Sequence, residues 1–468
     1  MSASATLAYR AVRERRAIRA TYDSGGPARE GGCQPGRCGK LIDMAGDAKP
    51  KVLVLGGGFG GLETAFSLRK MVRDEAAITL VSDLDHFYFK PNSIYVPFGL
   101  DPTKLRVPLE RPTQRKGIEL VQARATEVNP DTRRVQTESG ELDYDFLVIA
   151  TGAGMCAEEI PGLPDYAHGT WTAEDMLKLR DSFNDLIEEG QRGARHRVLF
   201  VVPPNNKCAG PLYEIVLMLD TWLGKRGARD RTEITWTTYE PTFIHAFGPR
   251  LHDVVTQEFD RRGISGHTGY VVQEVTPEEV RYENGESLAY DLLVSFPPYV
   301  AAEKFAGLPG DERGFLQTEL PTRQVVGHPD IYAVGDSGDF PVKQAFLAFL
   351  QGDAAATHIG SRILDKQPNG LFDPVSMCVM EQYDKATFAK VPLRLTGDPA
   401  DPIEVRPGAE DAYEVGSSRI WRMGKKMLGL SVPWRFRRGQ PFHGGAFWSG
   451  MDAGLKVMAG LFAKAGGR

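Results

Sequence analysis

The chain has 468 residues, too many for one hydrophobic core and about right for two or three modules. Hydrophobic residues make up 42% and charged residues 25%, an ordinary composition that excludes a disordered or collagen-like chain. A formal net charge of −5 argues against nucleic acid as a partner. The sequence has no run of about 18 uncharged apolar residues, which excludes a transmembrane helix. Five cysteines are too few for a disulfide scaffold, so individual thiols are the ones that matter, if any do.

Residues 1–48 have a composition of their own. They combine glycine-rich stretches with an arginine-rich opening, and they contain no apolar segment of the kind found in secretory signals. We expect a flexible N-terminal extension; a transit peptide, or a true start at Met44, are the alternatives. Cys33 and Cys38 lie there among glycines with no histidine nearby, so no metal site is expected.

A glycine-rich loop follows the first predicted strand. Residues 51–55 are an apolar run typical of a buried parallel strand, and residues 62–72 have the character of a helix. The loop between them matches G-x-G-x-x-G and comprises Gly56, Gly58, Phe59, Gly60 and Gly61. Such glycines permit a tight turn and the close approach of a pyrophosphate, which the helix N-terminus then holds. A second strand over 78–82 ends at Ser82, and Asp83 follows it, so the acid expected on the ribose is displaced by one position.

Two further strands return to the same predicted sheet. One ends in Ala150, Thr151 and Gly152, and the other ends in Gly335 and Asp336 before a helix that starts near Gln344. Both segments resemble the returning segments of the FAD-binding half of flavoproteins with two dinucleotide-binding domains. That resemblance implies FAD, with Asp336 bonded to its ribityl chain; the alternative for Asp336 is a helix N-cap.

The chain contains a weak internal repeat whose second copy lacks the glycine loop. The run at Lys51 recurs at Arg197, and the run at Asp145 recurs at Asp291, in both cases 146 residues later. In place of the loop, residues 202–211 contain three prolines and Cys208, so a second dinucleotide, NAD(P)H, is disfavoured. The predicted fold class is α/β, with two Rossmann-like domains, the second inserted in the first, and a C-terminal helical membrane-surface segment. We expect domains over 49–165 with 300–370, over 166–299, and over 371–468.

The C-terminal segment is strongly basic. Residues 415–468 hold ten Lys or Arg, one acid, and three of the six tryptophans, Trp421, Trp434 and Trp448. Apolar residues recur there at helical spacing in two stripes, namely Ile420, Met423, Met427 and Leu430, and then Met451, Leu455, Met458 and Phe462. This pattern predicts basic amphipathic helices on an anionic membrane surface. A helical subdomain packed on the body, or a basic dimer interface in a homo-oligomer, are the alternatives.

The cysteine-containing segments resemble the sulfide:quinone oxidoreductase and flavocytochrome c sulfide dehydrogenase group, a membrane-surface branch of the pyridine-nucleotide disulfide oxidoreductase fold. The resemblance runs from about residue 50 to the C-terminus. It depends on the segments Gly56 to Glu63, His86 to Asn92, Cys208 to Glu214, Gly335-Asp336 with Lys343, and Met377 to Val379.

The resemblance implies roles for individual residues. Cys208 and Cys378 are the implied redox pair, Glu214 the implied proton acceptor, and Lys343 the implied lysine beside the flavin; Lys90 and Ala125 are placed at the cofactor. A cysteine at the start of a helix over 211–223 would be expected to favour thiolate. The alternative for either cysteine is a small buried hydrophobe.

This sequence departs from the group at several positions. Trp171 stands where many members have a third cysteine, and Asp175 stands where a histidine follows it. Cys156 either substitutes for that third thiol or is a plain buried cysteine. No cysteine stands near Phe89 and Lys90 to tether the flavin, so non-covalent FAD is expected, and Ser337 replaces a cysteine after Gly-Asp.

The first hypothesis is therefore an FAD enzyme that oxidises sulfide to sulfane sulfur and reduces a membrane quinone. The alternatives are an NADH:quinone oxidoreductase of the same fold and a redox-inactive flavoprotein partner. We expect a peripheral protein on the cytoplasmic side of a bacterial membrane, or at the mitochondrial inner membrane if the N-terminus is a transit peptide.

Overall fold

Nine α-helices lie within residues 49–462, the part of the chain that this computed structural model describes; the predicted N-terminal extension lies outside it. The helices are α1 (Phe59–Val72), α2 (Glu110–Gln114), α3 (Leu163–Tyr166), α4 (Ala173–Gln191), α5 (Gly210–Arg226), α6 (Pro249–Arg262), α7 (Ala345–Ile363), α8 (Arg419–Phe436) and α9 (Gly445–Phe462). Among these described helices, none has the length and apolarity needed to cross a bilayer.

The strands are short and fall into several sheets. The first ten are β1 (Lys51–Leu55), β2 (Ala77–Ser82), β3 (His86–Tyr88), β4 (Arg106–Pro108), β5 (Glu119–Gln122), β6 (Ala125–Asn129), β7 (Arg134–Thr137), β8 (Gly140–Asp143), β9 (Phe146–Ile149) and β10 (Ala153–Met155). The next nine are β11 (His168–Gly169), β12 (His196–Val202), β13 (Thr232–Thr238), β14 (Ser265–Thr268), β15 (Val272–Val275), β16 (Glu279–Tyr282), β17 (Ser287–Ala289), β18 (Leu292–Ser295) and β19 (Tyr299–Ala301). The last six are β20 (Gln324–Val325), β21 (His328–Ala333), β22 (Val375–Glu381), β23 (Ala386–Leu395), β24 (Ile403–Val405) and β25 (Glu414–Ser418).

The first sheet has the order β20-β21-β9-β1-β2-β5, and β1 lies inside it. Strands β21, β9, β1, β2 and β5 are parallel, while β20 pairs antiparallel with β21. Both faces of β1 are buried, since Val52 and Val54 pack with α1 and α7 while Leu53 and Leu55 pack on the other side. Two buried faces explain why this strand is apolar throughout rather than alternating. Helix α1 begins at Phe59, three residues before the predicted start.

The second sheet repeats the arrangement of the first. Its order is β11-β18-β12-β13-β14, and all of its pairs are parallel. In the first sheet the Lys51 amide donates to the Asp145 carboxylate at 2.7 Å, and in the second the Arg197 amide donates to the Asp291 carboxylate at 2.7 Å. The same interaction at equivalent positions supports a duplicated Rossmann-like unit, and the predicted α/β class with parallel sheets is confirmed.

The third sheet is antiparallel and carries the C-terminal helices. Strand β23 pairs with β22, β24 and β25, and α8 packs against this sheet. Each parallel sheet falls within one predicted range, the first within 49–165 and 300–370 and the second within 166–299. We therefore propose these ranges, with 371–468 as the C-terminal domain, as the domain organisation of the chain.

Candidate active site

One cavity of about 640 Å³ lies where the three sheets meet. Its lining includes the segments that follow β1, β2, β9 and β21 at the carboxyl ends of the first sheet. Segments after β12 and β18 of the second sheet line it as well, as do β22 and α8. Ligands of open α/β sheets bind at the carboxyl ends of the strands, and the volume is within the usual range for small-molecule sites.

The glycine loop after β1 has the geometry of a phosphate cradle. A Cβ atom at Gly56, whose φ is +110°, would lie 2.3 Å from the Ala150 carbonyl oxygen. A Cβ atom at Gly61 would lie 1.9 Å from the Gly56 carbonyl oxygen, whereas one at Gly58 would meet nothing within 4 Å. Gly56 and Gly61 therefore permit close packing of the backbone, and Gly58 leaves room at the N-terminus of α1 for a bound anion. Gly61 packs behind the cavity and does not line it.

The other predicted cofactor residues line the same cavity. They are Gly56, Gly58, Phe59, Gly60, Ser82, Asp83, Lys90, Ala125, Ala150, Thr151, Gly152, Gly335, Asp336 and Lys343. The Thr151 hydroxyl is buried and makes no hydrogen bond within the described residues, so a ligand group can use it. These features fit a dinucleotide with a large aromatic ring system, as the sequence predicts.

Asp336 and two lysines form the charged part of the cavity. Asp336 lies in the short 3-10 helix Gly335–Ser337, and the N-cap of α7 is Gln344, so the N-cap alternative for Asp336 is wrong. Burial raises the pKa of Asp336, and Lys343 and Lys90 oppose that rise. Burial lowers the pKa of Lys343 to about 7 and that of Lys90 to about 7. Both ammonium groups therefore change charge near neutral pH.

Cys208 and Cys378 line this cavity together, and both are free thiols. Cys208 lies two residues before α5, where its amide donates to the Asn206 side-chain oxygen at 3.0 Å. Cys378 lies on β22 opposite Ala389. Burial raises the pKa of Cys208, with a further contribution from Cys378, and burial raises the pKa of Cys378 to about 12. The start of α5 favours thiolate at Cys208, as the sequence predicts, whereas burial opposes it.

Glu214 also lines the cavity, and its partner is a residue that the sequence analysis does not identify. Its Oε1 accepts hydrogen bonds from Lys425 Nζ at 2.5 Å and from the Glu381 amide at 2.7 Å. Burial raises the pKa of Glu214, and Lys425 opposes that rise. Lys425 is one of the ten basic residues counted over 415–468, and the sequence analysis assigns it to no face of the helix. The spacing of Trp421, Lys425, Leu428 and Val432 was the available signal, since together they form the inward face of that helix.

Two departures from the resemblance have structural explanations. Trp171 lines the cavity, and the Lys90 ammonium lies 2.9 Å from the centroid of its ring, a cation–π contact. Asp175 completes a capping box at the start of α4, since Thr172 and Asp175 each accept from the other's amide, at 3.0 and 2.9 Å. Neither position is therefore left without a function in this fold.

Cys156 lies outside the lining of the cavity. It follows β10, and its amide donates to the Pro298 carbonyl oxygen at 2.9 Å. Burial and then the Glu159 carboxylate raise the pKa of its thiol. A role for Cys156 as a third thiol stays a prediction.

One end of the cavity is aromatic and reaches α8. Its lining there includes Phe346, Phe349, Phe442, Leu428 and Val432. The opposite face of α8 carries a stripe of exposed apolar side chains, Met423, Met427, Leu430 and Trp434, called the outer stripe below. Trp421, assigned to the same surface by the sequence, is instead fully buried and stacks on Phe388 with a centroid separation of 4.1 Å.

Comparisons with known proteins identify the class. The family model for pyridine nucleotide-disulphide oxidoreductases matches residues 50–201 and 221–352, and the chain belongs to this family. The family implies a flavin cofactor, in agreement with the cradle described above.

Among the relatives, the chain is 32% identical over 257 residues to a sulfide-quinone reductase of Aquifex aeolicus, an alignment that covers 53% of this chain and 57% of that protein. The chain thus matches little more than half the length of that relative. It is 27% identical over 380 residues to the mitochondrial sulfide:quinone oxidoreductase of Mus musculus, covering 76% of this chain and 80% of the other. The solved structure of the sulfide:quinone oxidoreductase of Aquifex aeolicus has a TM-score of 0.76 at 24% identity, covering 88% and 95% of the two chains, and shows the same fold.

Proposed function

We propose that this chain is an FAD-dependent sulfide:quinone oxidoreductase, which oxidises sulfide to sulfane sulfur or polysulfide and passes the electrons to a membrane quinone. The observation that carries the proposal is the position of Cys208 and Cys378 in the cavity of the glycine loop. Cys208 stands where the repeated unit would otherwise hold a second set of phosphates. The names of the relatives support the same substrates.

We propose that FAD is bound non-covalently. Gly58 and the N-terminus of α1 would hold its pyrophosphate, Ser82 and Asp83 its adenosine ribose, and Asp336 its ribityl chain. A covalent link to the flavin would need a cysteine. Within the described lining of the cavity the only cysteines are Cys208 and Cys378, and the proposed sulfur chemistry uses both. Once bound, FAD accepts the electron pair of sulfur oxidation and passes it to quinone.

The sulfur chemistry requires a disulfide and a base. When Cys208 and Cys378 are joined, hydrosulfide attacks one sulfur, so that one S–S bond breaks, a new S–S bond forms, and the other cysteine leaves as thiolate. The new persulfide carries the proton of hydrosulfide, and this proton must leave before the persulfide sulfur can act as a nucleophile, so the site needs an acceptor. Glu214 is a buried carboxylate of this lining, and the Lys425 ammonium keeps it able to ionise.

We propose that α8 brings the protein to the bilayer that contains the quinone. Its outer stripe is exposed and apolar, while its inner face lines the aromatic end of the cavity. A quinone leaving the acyl region would thus reach the flavin without crossing water. The protein would be peripheral, and we place it on the cytoplasmic side of a bacterial membrane.

An NADH:quinone oxidoreductase is the second candidate, because the chain is also 25% identical over 369 residues to a type II NADH:quinone oxidoreductase of Staphylococcus saprophyticus, covering 73% and 90% of the two chains. The loop after β12 argues against it. The Asn206 side chain donates to the Phe296 carbonyl oxygen at 2.8 Å and accepts from Cys208, so this loop is filled by its own side chains. In a domain that binds NADH, an acid near the end of the second strand holds the ribose. Glu240 has that position after β13, but it already accepts hydrogen bonds from the Thr238 hydroxyl and from the His245 amide.

The test is an anaerobic titration of the flavin-loaded protein, first with sulfide and then with NADH, followed by flavin absorbance. We expect sulfide to bleach the flavin and NADH to leave it oxidised. The variant Cys208→Ser should keep the yellow colour and lose bleaching by sulfide. Cys156→Ser is the matched thiol variant, and we expect it to bleach normally because Cys156 lies outside the cavity. Bleaching by sulfide in Cys208→Ser at the normal rate would refute the cysteine mechanism.

A further inference from the structure

A second cavity, of about 430 Å³, lies at the C-terminal end of α1 and is strongly cationic. We call it the basic pocket; its lining residues are Phe66, Arg69, Lys70, Lys116, Arg435, Gly439, Gln440, Pro441, Gly444, Gly445, Ala446 and Phe447. Four of these side chains are positively charged, and within the described residues the lining has no Asp or Glu. It shares no lining residue with the flavin cavity.

The two arginines form fixed walls. The Arg69 guanidinium donates to the carbonyl oxygens of Ala76 and Gly117 at 3.0 and 2.9 Å, while its buried Nε makes no hydrogen bond within the described residues. Arg435 Nε donates to the Pro441 carbonyl oxygen at 2.7 Å. Carbonyl oxygens satisfy hydrogen bonds but do not neutralise charge, so the walls stay cationic.

The two lysines are the adaptable part of the basic pocket. In the described part of the chain, neither Lys70 nor Lys116 takes part in an ion pair or a side-chain hydrogen bond. The carboxylates that act on the arginines from outside are Asp74 on Arg69 and Glu63 on Arg435. Burial raises the pKa of Glu63 well above its ordinary value, and hydrogen bonds from the Phe442 and His443 amides oppose that rise.

The N-terminus of α9 opens into the same pocket. Gly444 to Phe447 line it, and the first turn of this 18-residue helix contains no acid. A Cβ atom at Gly445 would lie 2.8 Å from Lys70 Nζ, so a lysine ammonium stands at the positive end of a helix dipole. This arrangement is unfavourable by itself, and an anion between the two groups makes it favourable.

We propose that the basic pocket binds a phosphate group. Free helix N–H groups and two mobile ammonium groups suit a tetrahedral oxyanion, and the volume admits more than one phosphate. Phe447, in its lining, packs against Trp434 of the outer stripe with a centroid separation of 6.3 Å. The same chemistry is offered by the headgroup of an anionic phospholipid and by free phosphate, and the proximity of the outer stripe favours the lipid.

The experiment uses the flavin-loaded full chain and isothermal titration calorimetry at constant ionic strength. The probes are dihexanoyl phosphatidylglycerol and inorganic phosphate. The pocket variant Lys70→Ala/Lys116→Ala is compared with Lys104→Ala/Lys366→Ala, which removes two exposed lysines from outside the basic pocket and changes the net charge equally. We expect saturable binding that the pocket variant weakens about 30-fold and the control variant leaves intact, since each lysine near a phosphate contributes about fivefold.

Tighter binding of the lipid than of inorganic phosphate identifies a headgroup site, and equal affinity identifies a free phosphate site. Absence of saturable binding for both probes, or equal weakening by the two variants, would overturn the proposal. Bleaching by sulfide should be normal in both variants because the two cavities share no residue. Failure here is thus distinguishable from failure of the proposed oxidoreductase function.

Discussion

The outer stripe of α8 makes a quantitative prediction about membrane binding. Met423, Met427 and Leu430 are 66%, 64% and 69% exposed. Complete burial of such a side chain is worth about 1.5–3 kcal/mol, so inserting the exposed two thirds should contribute about 1–2 kcal/mol per residue. For three residues the sum is about 4 kcal/mol, or roughly a thousandfold in partitioning, since about 1.4 kcal/mol is tenfold. The variant Met423→Gln/Met427→Gln/Leu430→Gln should lose this contribution while keeping good helix formers in α8.

The assay is sedimentation with vesicles that contain phosphatidylglycerol, together with two quinone assays. Reduction of a long-chain quinone in the vesicles should fall with binding, and reduction of a short-chain soluble quinone should persist because the outer stripe does not line the cavity. The matched control is Val326→Gln/Leu371→Gln/Leu395→Gln, which changes three side chains exposed by 41%, 59% and 42% outside α8. Unchanged partitioning of the α8 variant, or an equal loss in the control, would refute the reasoning.

Two further predictions concern the buried charges. Lys425→Met should leave Glu214 buried without its cation and lower the free energy of unfolding by about 3–5 kcal/mol; urea unfolding measures this, and Glu214→Gln/Lys425→Met should recover most of the loss. An equal loss in the double variant would contradict the ion pair as the cause. Lys343 and Lys90 have pKa values lowered to about 7, so both are protonated below that pH in the flavin-free protein. Because anionic FAD favours the protonated lysines, its affinity should be greatest below pH 7 and fall as the pH rises through 7. Fluorescence titration of the flavin-free protein with FAD between pH 6 and 8.5 checks this, and Lys343→Met should flatten the profile; a flat profile in the unmodified protein would contradict it.

The cofactor half of the site could be predicted because its signals are local. A strand with two buried faces, a glycine at φ +110° and a helix start within a few residues leave few alternatives for the segment around Gly56. The pairing of Asp145 with Lys51, and of Asp291 with Arg197, follows from a repeat that is visible in the sequence.

The protonation of the thiols could not be predicted in this way. Proximity to a helix start is a sequence property and suggests thiolate at Cys208. Burial by segments far away in the sequence, among them Cys378 on β22, instead raises the pKa of that thiol. Which residues of α8 face inward and which face outward could not be predicted for a similar reason. Counting charges and tryptophans over residues 415–468 predicts a surface segment without separating its faces, yet Trp421 stacks on Phe388 and Lys425 pairs with Glu214.

Helix α8 takes part in both ends of the proposed reaction, because one of its faces lines the cavity and the opposite face is exposed. Lys425, Leu428 and Val432 face the cavity, while Met423, Met427 and Leu430 face outward, although the two sets alternate along the same stretch of chain. Each residue turns a helix by about 100°, so the Glu214–Lys425 pair also fixes which side chains of α8 face outward. A buried ion pair is weak support for stability in general, but it can specify one arrangement over others. In this protein the pair orients α8 so that Lys425 faces Glu214 at the cavity, while the outer stripe, the proposed membrane contact, faces away from it.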